Sequence, residues 1–463
     1  MMVTMNLDLA SYVLVAVALL LGQPPHRLAS SIVDDSDKLT AELRARPETI
    51  RVPCGGSVQG AVRAAKPGDT ILLVPQCRYV GQVVLGAKSG VVTITSSTAP
   101  DRRVTPADAP LLPILASGGP MAAIDGTGAK NWRLEGVQLE SRADGLGEVV
   151  VLQDAMTVTL DRVLIVGGEK GQKRAIRGNG ESITLTRSYI ANIWAPGQDS
   201  QAFCAWDGAG PYTITDNYLE AASENVMIGG ADSQSIDRIP SDGLIQGNDI
   251  TKPIEWKGTR GKAVKNLLEF KSAKRWRVTG NRFSNSWTDA QNGYALLVKS
   301  VNQNRKAPWS ASEDITIEGN TVTGVENGFN LQGYAADQPG GHTTRVTIRG
   351  NDVTCSGVAV QAVSELGDVT IERNTFQNGS TFLQLDAATY AMANLLLQNN
   401  RANHNAYGIK GSGAGIGLPS LTRFVKAFTM RQNVLLGGAG KGSYPAETWF
   451  DLASVPASIV VGR

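Results

Sequence analysis

Ile315–Asn320 reads ITIEGN, Val346–Asn351 reads VTIRGN and Val369–Asn374 reads VTIERN. Each phrase alternates apolar and polar residues, the period of a half-buried strand, and closes on Asn. Related phrases end at Asn217, Asn248, Asn281, Asn400 and Asn433, and degenerate ones at Gly136, Arg162 and Ser188. The eleven marks are 23 to 39 residues apart. A chain of 463 residues would otherwise be expected to hold about three globular domains; a sustained repeat predicts one solenoid instead. Each unit has room for two or three short strands and shows no helical period. The expected fold is therefore all-β, a single-stranded right-handed parallel β-helix of about eleven coils. Asn suits the turn because it tolerates left-handed backbone, and asparagines stacked about 4.8 Å apart can form an amide ladder.

Working outward, Gly55–Ala65 (GGSVQGAVRAA) reads as a short amphipathic helix placed to cap the first coil, and Tyr444–Val461 as the closing segment. Three longer stretches, 252–264, 302–312 and 335–344, read as insertions that wall one side of the cylinder. Leu9–Gly22 is a run without charge, too short for a comfortable membrane span and suited to a secretory signal. The expected organisation is a leader at 1–31, a linker at 32–50 and the β-helix domain at 51–463, in a secreted, periplasmic or cell-surface protein. Cys54 and Cys77 flank one helix-then-strand unit, where a disulfide is plausible; Cys204 and Cys355, about five coils or 24 Å apart, should be free buried thiols. A net charge of +2 offers no basic field for nucleic acid, and three scattered histidines argue against a His-rich metal site.

The opening GGSVQGAVRAAKPGDTILL and the central NLLEFKSAKRWRVTGNRFSNSWTDAQNGYALLVKS resemble secreted bacterial β-helix proteins of the pectate-lyase-like superfamily. The signatures of its pectin hydrolases, alginate epimerases and pectate lyases do not sit on the central coils. One local likeness is to chondroitinase-B-like and alginate lyases, carried by Glu269, Lys271-Ser272 and Asn281. It implies a calcium-holding role for Glu269 and a base role for Lys271; where those lyases supply an Arg on the next coil, this chain has Lys299.

Strand alternation gives a geometry of its own. In NLLEFKS, Leu268 and Phe270 face inward, so Glu269 and Lys271 face outward; in ALLVKS, Lys299 and Leu297 do the same. Stacking the neighbouring coils predicts an outer column Gly229, Lys271, Lys299, Gln332, Gln361 beside Met227, Glu269, Leu297, Asn330, Ala359. Two lysines on adjacent rungs suit an anionic polymer, and one of them, with a depressed pKa, can serve as a base. The expected catalytic set is Lys271, Lys299 and Glu269, with Lys271 as base and Gly229 leaving room for a sugar ring. Asn225, Asn330, Gln332, Gln361, Trp287 and Trp309 are the expected substrate contacts. Glu224, Glu269 and Asp232 are candidate ligands for calcium. The expected function is a lyase of uronic-acid polysaccharides; the alternatives are a non-catalytic polysaccharide-binding or surface β-helix and a glycoside hydrolase with paired carboxylates.

Overall fold

The computed structural model describes residues 47–142, 147–259 and 261–462; the leader and most of the linker lie outside them. One coil shows the plan. Leu268–Phe270 lies on a first face, Ala273–Thr279 on a second and Arg282–Ser286 on a third. Each pairs in parallel with its counterpart one coil on: Tyr294–Lys299, Ser312–Glu318 and Thr321–Val325. The first two faces form one 24-stranded sheet and the third a 14-stranded sheet. The chain is a right-handed parallel β-helix. Alternate residues of every strand point into a single apolar cluster that runs from Val52 to Leu435.

The third face has more strands than the sequence has marks. Two additional strands, Arg78–Val80 and Ile114–Ala116, precede the first mark, and their entering turns lack an Asn phrase. A third, Thr448–Trp449, pairs with the last marked strand.

The marks themselves lie at the corner between the second and third faces. Asn217, Asn248, Asn281, Asn320, Asn351, Asn374, Asn400 and Asn433 are all buried there. The main-chain N–H and Nδ2 of each donate to Oδ1 of the next, as from Asn281 to Asn320 at 2.9 Å. The second Nδ2 hydrogen goes to a carbonyl of the preceding coil, as from Asn281 to Ile245. The ladder thus satisfies its own buried amides. Left-handed backbone, expected at Asn, belongs instead to the residue before it: Gly280, Gly319 and Gly350 have φ of 63°, 59° and 58°, and Arg373 has 53°. Gly precedes Asn because only Gly takes that conformation without a Cβ clash.

Helix Val58–Ala64 buries Val58, Ala61 and Val62 against the first rungs, with the Ser57 hydroxyl accepting from the Gly60 N–H at 2.9 Å. At the other end a second helix, Leu418–Phe424, buries Leu421 and Phe424, and Tyr444 and Phe450 pack on the same core. Cys54 and Cys77 are bonded, with Cα atoms 5.4 Å apart, while Cys204 and Cys355 are free and buried. Among the described residues no helix is long and apolar enough to cross a membrane.

The insertions do not share one wall. Residues 252–264 connect the third face to the first, whereas 302–312 and 335–344 connect the first to the second. They border the first face from opposite edges.

Candidate functional site

The first face between these insertions carries five paired strands: Gln201–Ala205, Glu224–Ile228, Leu268–Phe270, Tyr294–Lys299 and Asn327–Gln332. Register stacks Cys204, Met227, Glu269, Leu297 and Asn330 in one outward column. Lys271 follows Phe270 where the strand ends, and Lys299 ends the next strand above Gln332. The order differs from expectation one coil further. Gln361 pairs with Asn330, and Val363 with Gln332, so Gln361 belongs to the glutamate column. Asn330 Nδ2 donates to Gln361 Oε1 at 2.5 Å, and Gln332 is half-buried.

Two carboxylates lie buried beneath the lysines. Glu269 is wholly inaccessible, with Lys271 Nζ 2.7 Å from its Oε2. That approach is an ion pair without hydrogen-bond alignment, and both Glu269 oxygens lack an aligned donor. Glu224, also inaccessible, accepts from Gln201 Nε2 at 2.8 Å and faces Lys265 Nζ at 3.6 Å. Burial raises the Glu224 carboxyl above the ordinary range, and Glu269 adds to this. Lys265 reaches on to Asp199 at 2.6 Å. On the other side Gln201 accepts from Arg174 at 2.7 Å, and Arg174 pairs with Glu148 at 2.9 Å. A run of paired charges and amides therefore extends along the coil axis from Glu148 through Arg174 and Gln201 to Glu224.

The lysines divide in behaviour. Burial works against the Lys271 ammonium, but Glu269 and Glu224 outweigh it and hold the group above the ordinary lysine range. Lys299 is lowered, first by burial and then by the Lys271 charge, against opposition from Glu269 and Asp337. The sequence reading made Lys271 the base. The nearby buried carboxylates favour its charged form instead, and of the pair Lys299 is the one whose pKa is lowered.

Other expected residues take different places. Asn225, the second residue of its strand, is wholly buried, donating to the Leu219 and Thr251 carbonyls and accepting from Lys252, so its amide is turned away from a ligand on the face. A Cβ at Gly229 would lie 2.3 Å from Ser272 N; with φ of 84° the residue turns the chain rather than making room for a sugar. Trp287 is buried with Ala222, Trp256 and Val264 under the 252–264 insertion. Trp309 is half-buried and donates its indole N–H to Ser233 Oγ at 3.0 Å. Asp232 accepts from the Asn304 and Lys306 N–H groups at 3.1 Å, pinning the 302–312 insertion. The set Glu224, Glu269, Asp232 is not assembled: among the described residues no three His, Cys, Asp or Glu converge as a metal site. Glu224 Oε1 faces the Lys265 ammonium and Glu269 Oε2 that of Lys271.

Sequence reasoning missed Arg174, Glu148, Lys252 and Lys265. For Glu148 and Arg174 the signal was register, since Glu148 pairs with Arg174, Arg174 with Gln201 and Gln201 with Glu224; Lys252 and Lys265 lie in the connection between strands. A hollow of about 640 Å³ at the corner lined by Trp287, Ser286 and Cys355 has only Lys257 and Glu326 as charged lining, so the chemistry is placed on the strand face.

A model of the right handed β-helix region matches residues 266–446. No curated protein sequence matches the chain. Among solved structures, the PL6-family alginate lyase AlyGC is 13% identical with a TM-score of 0.51, over 87% of this chain and 53% of that one. The alginate lyase from Paenibacillus sp. str. FPU-7 is 13% identical with a TM-score of 0.43, over 82% and 98%. The tailspike of E. coli bacteriophage HK620, in complex with pentasaccharide, is 12% identical with a TM-score of 0.49, over 82% and 62%. The chain thus spans about half of AlyGC and three fifths of the tailspike. At 13% identity the likeness to AlyGC is one of architecture, and with the matching β-helix region and the stacked parallel ladders it identifies the fold as a right-handed parallel β-helix.

Proposed function

We propose that the protein is a carbohydrate-active enzyme, a lyase that cleaves uronic-acid polysaccharides by β-elimination. The observation that carries this is the lysine pair on adjacent rungs, one held protonated by two buried carboxylates and the other lowered beside it. In this reading the Lys271 ammonium faces a uronate carboxylate and neutralises it, which acidifies the proton on the adjoining carbon. Neutral Lys299 takes that proton. The electron pair moves into a new carbon–carbon double bond, and the glycosidic oxygen leaves with the chain beyond it. Glu269 orients Lys271 and keeps it charged. A positioned general base contributes roughly 10²- to 10⁴-fold to such a step. Asn330 and Gln332, one rung beyond Leu297 and Lys299, are placed to contact the neighbouring sugar. The Cys54–Cys77 bond supports export to an oxidising compartment.

Incubation with a panel of acidic and neutral polysaccharides tests the reading. Ultraviolet-absorbing unsaturated ends released only from uronate polymers are expected. New reducing ends without unsaturation would replace it with hydrolysis, and binding without cleavage with a lectin-like role.

A further inference from the structure

Lys252 is a lysine with no accessible side-chain surface. It opens the 252–264 insertion, behind the wall of the site rather than on its face. Its Nζ lies within hydrogen-bond reach of four acceptors, which its three N–H groups share: the successive carbonyls Ala221 O at 2.9 Å, Ala222 O at 2.9 Å and Ser223 O at 2.6 Å, and Asn225 Oδ1 at 2.7 Å. All four partners are acceptors, which suits an ammonium. These residues form the corner that delivers Glu224 to the first face. The corner of neighbouring coils needs no such group. Ser286, Val325 and Cys355 stack there, buried and uncharged. Placing an ammonium in the interior costs several kcal/mol unless it is well matched. Burial accordingly pushes Lys252 down to about 7, against the pull of Glu224, Glu269 and Glu220.

We infer that Lys252 is a positioning residue for the reaction: by clamping the 221–225 corner from the next coil, it fixes Glu224 at the head of its first-face strand, one coil before Lys271. The inference rests on the lyase reading for its kinetic consequence, but its structural part stands apart from it. Among the described residues Glu224 has only Gln201 as an aligned hydrogen-bond partner, so its position depends on the backbone that carries it. Asn225, the residue after Glu224, is held by the same ammonium.

The test compares Lys252→Met, which keeps length and removes the charge, with Lys252→Gln and with Ser286→Ala at the same corner one coil on. Crystal structures of each and steady-state kinetics on a cleaved polyuronate are the measurements. Both Lys252 variants should fold and shift the Glu224 carboxylate by about 1 Å, a misplacement that costs on the order of 10²-fold in turnover. KM should change far less than kcat, and Ser286→Ala should leave both parameters and Glu224 unmoved. The inference is overturned if Glu224 keeps its place in the Lys252 variants, if Ser286→Ala shows the same loss, or if both Lys252 variants fail to fold while Ser286→Ala folds. If the unmodified protein cleaves no polyuronate, the lyase reading falls alone and the crystal structures still decide the clamp.

Discussion

Two features on different sides of the same coils obey opposite rules. At the corner between the second and third faces, eight asparagines repeat one arrangement and satisfy one another, successive side-chain amides bonded at 2.9 to 3.0 Å. On the first face no two rungs carry the same pair: Cys204, Met227, Glu269, Leu297 and Asn330 follow in turn, and Glu224 and Glu269 keep buried oxygens without aligned donors. The ladder is where repetition builds the solenoid. The first face is where repetition is abandoned, and two buried carboxylates there keep oxygens without aligned donors. The difference separates stability from chemistry along the chain.

The sharpest break of that contrast is chemical. Lys299→Ala should lower turnover by about 10²-fold or more while leaving thermal stability nearly unchanged. Lys271→Ala should both raise KM and lower turnover. Steady-state kinetics on a cleaved polymer separate the two patterns.

Acidity sharpens the contrast further. Lys299 must be neutral to act, so activity should fall as pH drops through its lowered pKa and level off above it, at a pH below that of an ordinary lysine. Removing the Lys271 charge takes away one cause of that lowering. The residual activity of Lys271→Met should therefore rise only at higher pH.

On the ladder the expected effect is structural. Asn320→Ala strips the acceptor from the Asn281 N–H and Nδ2 and leaves the Val278 carbonyl without its donor. A loss of about 3 kcal/mol in denaturant unfolding is expected, since each orphaned buried group costs roughly 1–3 kcal/mol. Activity under native conditions should be retained. Gly319→Ala, at φ of 59°, should cost about 1–2 kcal/mol, and Arg373→Gly, at 53°, should gain a few tenths. The smallest effect is on the thiols. Burial pushes Cys204 and Cys355 up to about 12. Neither should react with a thiol reagent in the folded protein, and two should react after unfolding without reduction.

The repeat was readable because ITIEGN and its relatives carry both the strand period and the turn chemistry. The first coils were not: the turn at 74–77 and the long connection 97–113 carry no Asn phrase. Facing was also legible, since Glu269, Lys271, Leu297, Lys299 and Gln361 all point outward as alternation required. Register was less so. Gln361 stands two positions from its expected place, and a slip of two preserves facing, so alternation cannot detect it. The exchange of roles between Lys271 and Lys299 was beyond sequence reach for a similar reason. It depends on Glu224, delivered from a coil more than forty residues earlier and held by a corner that no strand pattern reveals.

In the proposed reaction the lysine pair on the first face removes a proton. The most direct measurement is the rate of ultraviolet-absorbing unsaturated product formation from polyuronates, compared between the unmodified protein and Lys299→Ala at equal fold content. Unsaturated product from the unmodified protein and a loss of about 10²-fold or more in the variant is the predicted result. Equal rates, or cleavage that yields no unsaturation, would contradict it.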